Sequence, residues 1–145
     1  MTSIVIYYSL LGHNRTIAEE IAELRKCEIL EFAPGSILRV FQFFIRHKKL
    51  RKKAQVVDLS DYNEIIICGP IWAGKPAPAI KYLLESLDLK GKAVKFHFTF
   101  TQDYGNTEGN IRGLMEKKGA ELKLIKFKNI SKRENKSERI EASHA

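Results

Sequence analysis

Cysteine, proline and tryptophan are all scarce in this 145-residue chain, which has two, four and one of them. Cys27 and Cys68 form no C-x-x-C and have no metal-ligand spacing, so neither a disulfide framework nor a thiolate metal site is expected. That usage suits a reducing cytoplasm better than secretion. Cys68 ends the apolar run Ile65-Ile66-Ile67 and reads as a small buried hydrophobe rather than a reactive thiol. Long apolar runs are missing too. The longest, residues 37–45, is interrupted by Arg39 and Gln42 and falls far short of the ~20 residues a membrane span needs. The N-terminus shows neither a basic n-region nor an apolar h-region, so no secretory leader is expected and the protein is read as soluble or at most peripheral. There is no Gly-x-Ser-x-Gly elbow, no His-Glu-x-x-His and no Walker loop, which removes the common hydrolase and nucleotide-hydrolysing classes.

Acidic residues are absent from one whole segment. Residues 33–56 hold Arg39, Arg46, Lys48, Lys49, Arg51, Lys52 and Lys53 with no Asp or Glu, and account for seven of the eight net positive charges. The basicity is therefore local. Val40, Phe41, Phe43, Phe44 and Ile45 lie in the same segment. One reading is a core helix with a solvated lysine-rich end. The other is a surface at residues 39–53 for an acidic partner, an anionic membrane or a second copy in a homodimer. Nucleic acid is not expected, because no binding motif accompanies the charge.

What is present is ordinary globular material: 44% hydrophobic and 29% charged residues, enough for one domain with its own core. Strand-like and helix-like patterns alternate. Residues 4–8 are a short apolar run, followed by a helix from Asn14 as N-cap, with Ile17, Ile21 and Leu24 at helical spacing. Residues 28–32 read as a second strand, and Ser36 opens a helix to about residue 53. Residues 65–69 form a continuous apolar run stopped by Gly-Pro, as in a strand buried on both faces. Pro76 and Pro78 open a helix with Ile80, Leu83, Leu84 and Leu87 on its core face. Residues 93–101 are a strand, Ile111, Leu114 and Met115 mark a helix capped by Gly119, and residues 121–128 are the last strand. This β-α alternation predicts a doubly wound, three-layer α/β/α domain over residues 1–128, with five parallel strands ordered 2-1-3-4-5. Residues 129–145 read as a polar tail, in which Ser131 and Glu134 match a capping box. In residues 94–100, Val94, Phe96, Phe98 and Phe100 alternate with Lys95, His97 and Thr99, unlike a strand covered on both faces. Part of one face is therefore expected to be exposed or covered by a partner chain, with His97 a surface residue.

In such a sheet ligands bind beyond the carboxyl ends of the strands, where the strand order reverses. Three loops meet there. The first, Ser9-Leu10-Leu11-Gly12-His13-Asn14, feeds a helix N-terminus whose unpaired N–H groups suit a phosphate. Gly12 permits close backbone approach, and Ser9, His13 and Asn14 offer side-chain donors. The second, Pro70-Ile71-Trp72-Ala73-Gly74-Lys75, carries the only tryptophan, either for the core or as a flat face for a ligand ring. The third, Thr101-Gln102-Asp103-Tyr104-Gly105-Asn106-Thr107, closes the crevice. Asn106 or Thr107 serves as a helix cap, and Tyr104 is a candidate second ring neighbour.

Residues 7–14 and 61–78 resemble the flavodoxin family, in its short flavodoxin-like and quinone-reductase-like branches, and the likeness runs from Ile4 to about Phe127. The resemblance implies flavin mononucleotide (FMN) as cofactor. It implies phosphate contacts from Ser9 to Asn14, ring contacts from Trp72, Ala73 and Gly74, and cover from the loop at residues 101–105. It also implies that the peptide near Gly74 faces flavin N5 and tunes its potential. The implied function is electron transfer or FMN-dependent reduction of a small acceptor such as a quinone, either as a carrier or as an oxidoreductase. No catalytic side chain is needed beyond the flavin contacts. The family's first loop is roughly Ser/Thr-x-Thr-Gly-Asn-Thr; here Leu11 and Gly12-His13-Asn14 replace two of its hydroxyls. Hydrogen bonds to a charged group are worth roughly 1.5–3 kcal/mol each, so a phosphate is held more weakly unless protonated His13 compensates. The basic charge also departs from acidic electron carriers. The alternative function is a binding or scaffold module that has lost FMN and acts through residues 39–53.

Overall fold

Five consecutive apolar or small residues make Ser3–Tyr7 a strand with no solvent face, and every one of them is buried. In a computed structural model, which describes residues 2–32 and 58–131, this is β1. It is followed by α1 (His13–Arg25), β2 (Glu28–Glu31), β3 (Glu64–Trp72) and β4 (Lys75–Pro76). Then come α2 (Pro78–Ser86), β5 (Ala93–Phe100), α3 (Thr107–Lys118) and β6 (Glu121–Asn129). The expected helix over residues 36–53, the basic surface and most of the polar tail lie outside the described residues.

The sheet order is β2-β1-β3-β5-β6, with all neighbours on this path parallel. With the two-residue β4 set aside as a hairpin on β3, this is the expected order 2-1-3-4-5. Helices cover both faces. Ile4, Ile6, Ile65, Ile67, Val94, Phe96 and Phe98 meet Ile80, Leu83 and Leu84 of α2 and Ile111 and Met115 of α3. On the other face Val5, Tyr7, Ile66 and Cys68 meet Ala18 of α1, flanked by Ile17 and Ile21. The β1–β3 junction is the switch point, because the chain leaves β1 for an edge strand on one side and returns beside it on the other.

β3 does not stop at Gly69-Pro70 but runs on to Trp72. Proline is disfavoured in a central strand because it lacks a ladder donor. Here β1 pairs with β3 only as far as Cys68, so Pro70 lies where that neighbour has already turned away. Its carbonyl accepts the Ala77 N–H at 2.9 Å instead. Residues 70–76 are accordingly no irregular loop. They are a hairpin in which Trp72 pairs with Lys75 across Ala73 and Gly74. Both turn residues have positive φ, 53° and 76°, as a two-residue hairpin matching strand twist requires.

Candidate functional site

The turn from β1 into α1 is set by Gly12, at φ 94°, which occupies the N-cap position expected for Asn14. Ser9 Oγ accepts the Gly12 N–H at 3.0 Å and folds the loop back on itself. The Thr16 hydroxyl donates to the Gly12 carbonyl at 3.1 Å. With the helix starting at His13, the N–H groups of its first turn lack intrahelical acceptors. Asn14 is thus a first-turn residue rather than a cap. Its side chain is 2% exposed, and its Nδ2 donates to Thr99 Oγ1 of β5 at 2.9 Å. Asn14 Oδ1 is the buried side-chain polar atom among the described residues that has no hydrogen-bond partner.

A recess of about 90 Å³ opens at this point. The first loop contributes Ser9, Leu10, Leu11, His13 and Asn14 to it, and the hairpin contributes Pro70, Ile71 and Trp72. Thr99, Phe100 and Thr101 from the end of β5 and Ile130 after β6 complete it. Its volume admits a compact anionic group, and a larger ligand extends over the rim. Trp72 is half-buried and stands edge-on to Tyr8, with ring centroids 6.0 Å apart. Leu11 is 82% exposed at the mouth.

Gly12 and His13 also border a second hollow with Thr16, Glu20, Lys128 and Ile130 on the outer side of the first loop. Ala73, Gly74 and residues 102–105 lie beside the recess rather than in its lining. Gly105 N donates to Asp103 Oδ1 at 2.9 Å, and a Cβ on Gly105 would stand 2.6 Å from the Gly74 carbonyl oxygen. Tyr104 stacks on Phe127 at 4.0 Å between centroids and meets Phe100 edge-on at 5.1 Å. Its ring thus packs on the sheet edge, while Gln102 is exposed. Asn106 takes the N-cap position of α3, but neither it nor Thr107 makes a side-chain cap bond. The Thr107 hydroxyl donates to the Gly74 carbonyl at 3.2 Å instead.

The sequence reading placed Thr99 in a strand and offered Thr107 as a helix cap, but assigned neither to the site. Thr99 had a signal, since it is the polar member of the alternating strand nearest the carboxyl end. Thr107 had none beyond its place at a helix start. The Cys68 thiol is pushed by burial up to about 12, which makes it inert. No group of three or more metal-ligating side chains converges among the described residues. No helix among them is long and apolar enough to cross a membrane.

A parallel, doubly wound sheet with a helix N-terminus and a tryptophan hairpin meeting at the switch point defines a three-layer α/β domain. The chain is a flavodoxin-like α/β protein in its fold. It superposes on a candidate flavoprotein from Bacteroides uniformis with a TM-score of 0.68 at 21% identity, over 97% of each chain. A flavoprotein from Lactobacillus acidophilus in complex with FMN gives 0.61 at 21% identity, over 87% of this chain and 92% of that one. The flavodoxin of Megasphaera elsdenii gives 0.62 at 16% identity, over 92% and 90%. No protein-family model and no curated protein sequence matches the chain.

Proposed function

We propose that this chain binds FMN and serves as a flavin-dependent redox protein, passing electrons to a partner protein or a small acceptor. The observation that carries the reading is the buried Asn14 amide with one unpartnered atom, set in the first turn of α1 and belonging to a residue that lines a recess shared with Trp72. An anion fits it. Turning the Asn14 amide over gives Oδ1 to the Thr99 hydroxyl, which can donate as well as accept, and leaves Nδ2 as a donor toward the recess. Together with the first-turn N–H groups this makes a phosphate cradle without the two hydroxyls that Leu11 and His13 replace. Trp72, braced by Tyr8, offers an aromatic face to a ring, and the Ala73–Gly74 turn offers backbone polar groups beside it. When bound, the flavin supplies the redox chemistry. The chain anchors it, orients it and excludes water with Leu10, Pro70, Ile71 and Phe100.

The first test is the visible absorption spectrum of the purified full-length protein, before and after adding FMN and removing the excess. Retained flavin bands with quenched tryptophan fluorescence are the expected result. A protein that stays colourless and keeps its fluorescence overturns the proposal.

A further inference from the structure

We infer that Thr107 is a positioning residue for the redox site, acting through the carbonyl of Gly74; the inference rests on the FMN reading above. Thr107 is the first residue of α3 and is completely buried. A hydroxyl there commonly satisfies its own helix terminus. This one reaches 33 residues back along the chain to a turn in which both residues have left-handed backbone. The two elements are fitted to each other. Gly105, at φ 52°, presses so close that a Cβ would collide with the Gly74 oxygen, and Asp103 holds the Gly105 N–H in place. The Gly74 carbonyl is therefore committed to α3, and the peptide joining Gly74 to Lys75 keeps one orientation.

That orientation matters because the turn directly follows Trp72. A peptide dipole beside a ring whose charge changes on reduction interacts unequally with its oxidised and reduced forms. A latched dipole also loses less freedom on ligand binding than a loose one. Thr107 thus influences both how tightly the site holds a flavin and how the affinity divides between redox states, without touching the ligand.

The test compares wild type with Thr107→Val, which keeps the shape but removes the donor, and Thr107→Ser, which restores it. Three quantities are read: amide hydrogen exchange at Gly74 and Lys75 in flavin-free protein, the FMN dissociation constant by tryptophan quenching, and the midpoint potential. Loss of one neutral hydrogen bond is expected to speed the exchange and weaken FMN about fivefold. The potential moves as well, and Ser returns all three toward wild type. Wild-type exchange rates in a folded Val variant overturn the latch. Faster exchange with unchanged affinity and potential leaves a mere tether and overturns the positioning role. If the Val variant does not fold, Gly105→Ala, which pushes on the same carbonyl, must give the same three changes, and its failure to do so overturns the inference. A wild-type protein that ignores FMN overturns the functional reading and the flavin role together, while exchange in the flavin-free protein still decides the latch.

Discussion

Asn14 shows how much a single side chain can carry. An amide that is 2% exposed, with one atom bonded to Thr99 and the other unpartnered, is a cost unless something completes it. If a phosphate does so, Asn14→Ala removes a charge-assisted bond of roughly 1.5–3 kcal/mol and weakens FMN about tenfold to a hundredfold. Asn14→Asp places a carboxylate against the phosphate and weakens it further. Isothermal titration of both variants checks the order, and an Ala variant as tight as wild type removes Asn14 from the site. Ala73 is a second residue under tension. A non-glycine residue at φ 53° carries about 1–2 kcal/mol of strain. Its side chain is exposed, and asparagine enters the left-handed region far more readily. Ala73→Asn is therefore expected to raise Tm by about 2–4 °C in thermal unfolding of the flavin-free protein. Strain that serves the ligand would appear as a simultaneous loss of FMN affinity.

Among the elements, α2 approaches β3 closely at Gly69. A Cβ on Gly69 would lie 2.4 Å from Cγ1 and 2.6 Å from Cδ1 of Ile80, itself fully buried. Gly69→Ala is expected to destabilise by about 1–3 kcal/mol through overpacking. Adding Ile80→Val, which removes Cδ1 and leaves Cγ1 as a terminal methyl, should recover part of that loss, a coupling readable from a double-mutant cycle in urea. The same region shows what the sequence could disclose. The apolar run at residues 65–68 and the alternation at 94–100 were enough to place β3 and β5, because each pattern reflects which faces are covered. The end of β3 was not legible. Gly69-Pro70 looks like a stop unless one knows that β1 departs opposite Cys68. The helix start was displaced for a similar reason, since Gly12 takes the left-handed cap and moves Asn14 into the first turn. Loop identities at the site followed from the strand order alone. The bonds from Asn14 to Thr99 and from Thr107 to Gly74 join residues 85 and 33 positions apart, and no local pattern encodes them. Tyr104 illustrates the converse: its stacking on Phe127 is a tertiary choice between two possible aromatic neighbours.

At the scale of the molecule, the two ends of the sheet carry opposite electrostatic designs. The carboxyl end offers helix N–H groups and a buried amide, while the amino end is tied by a buried carboxylate. Glu64, at the start of β3, is 3% exposed and accepts from Ser3 Oγ at 2.9 Å, with Lys95 Nζ at 3.3 Å and the Arg25 guanidinium also paired to it. Burial by itself would raise its pKa, but the Ser3 hydroxyl, Lys95 and Arg25 together hold it below the ordinary value of 4.5. Two residues beyond Lys95 along β5, half-buried His97 has its pKa lowered from 6.5 by burial and by the nearby Lys126 and Lys95. Both groups bind protons more readily in the unfolded chain, so both make stability fall on acidification, in different windows. The His97 contribution is complete above about 6.5 and is lost as pH drops through its lower folded value. The Glu64 contribution begins to go only below 4.5 and is lost through its own depressed value. Urea midpoints measured from pH 8 to 3 should therefore decline in two stages. His97→Gln flattens the first stage and leaves the second. Glu64→Gln flattens the second and costs about 1–3 kcal/mol at neutral pH, toward the low end because Arg25 and Lys95 reach water. A single acid transition unchanged by either substitution would mean that neither group differs in proton affinity between the folded and unfolded chain.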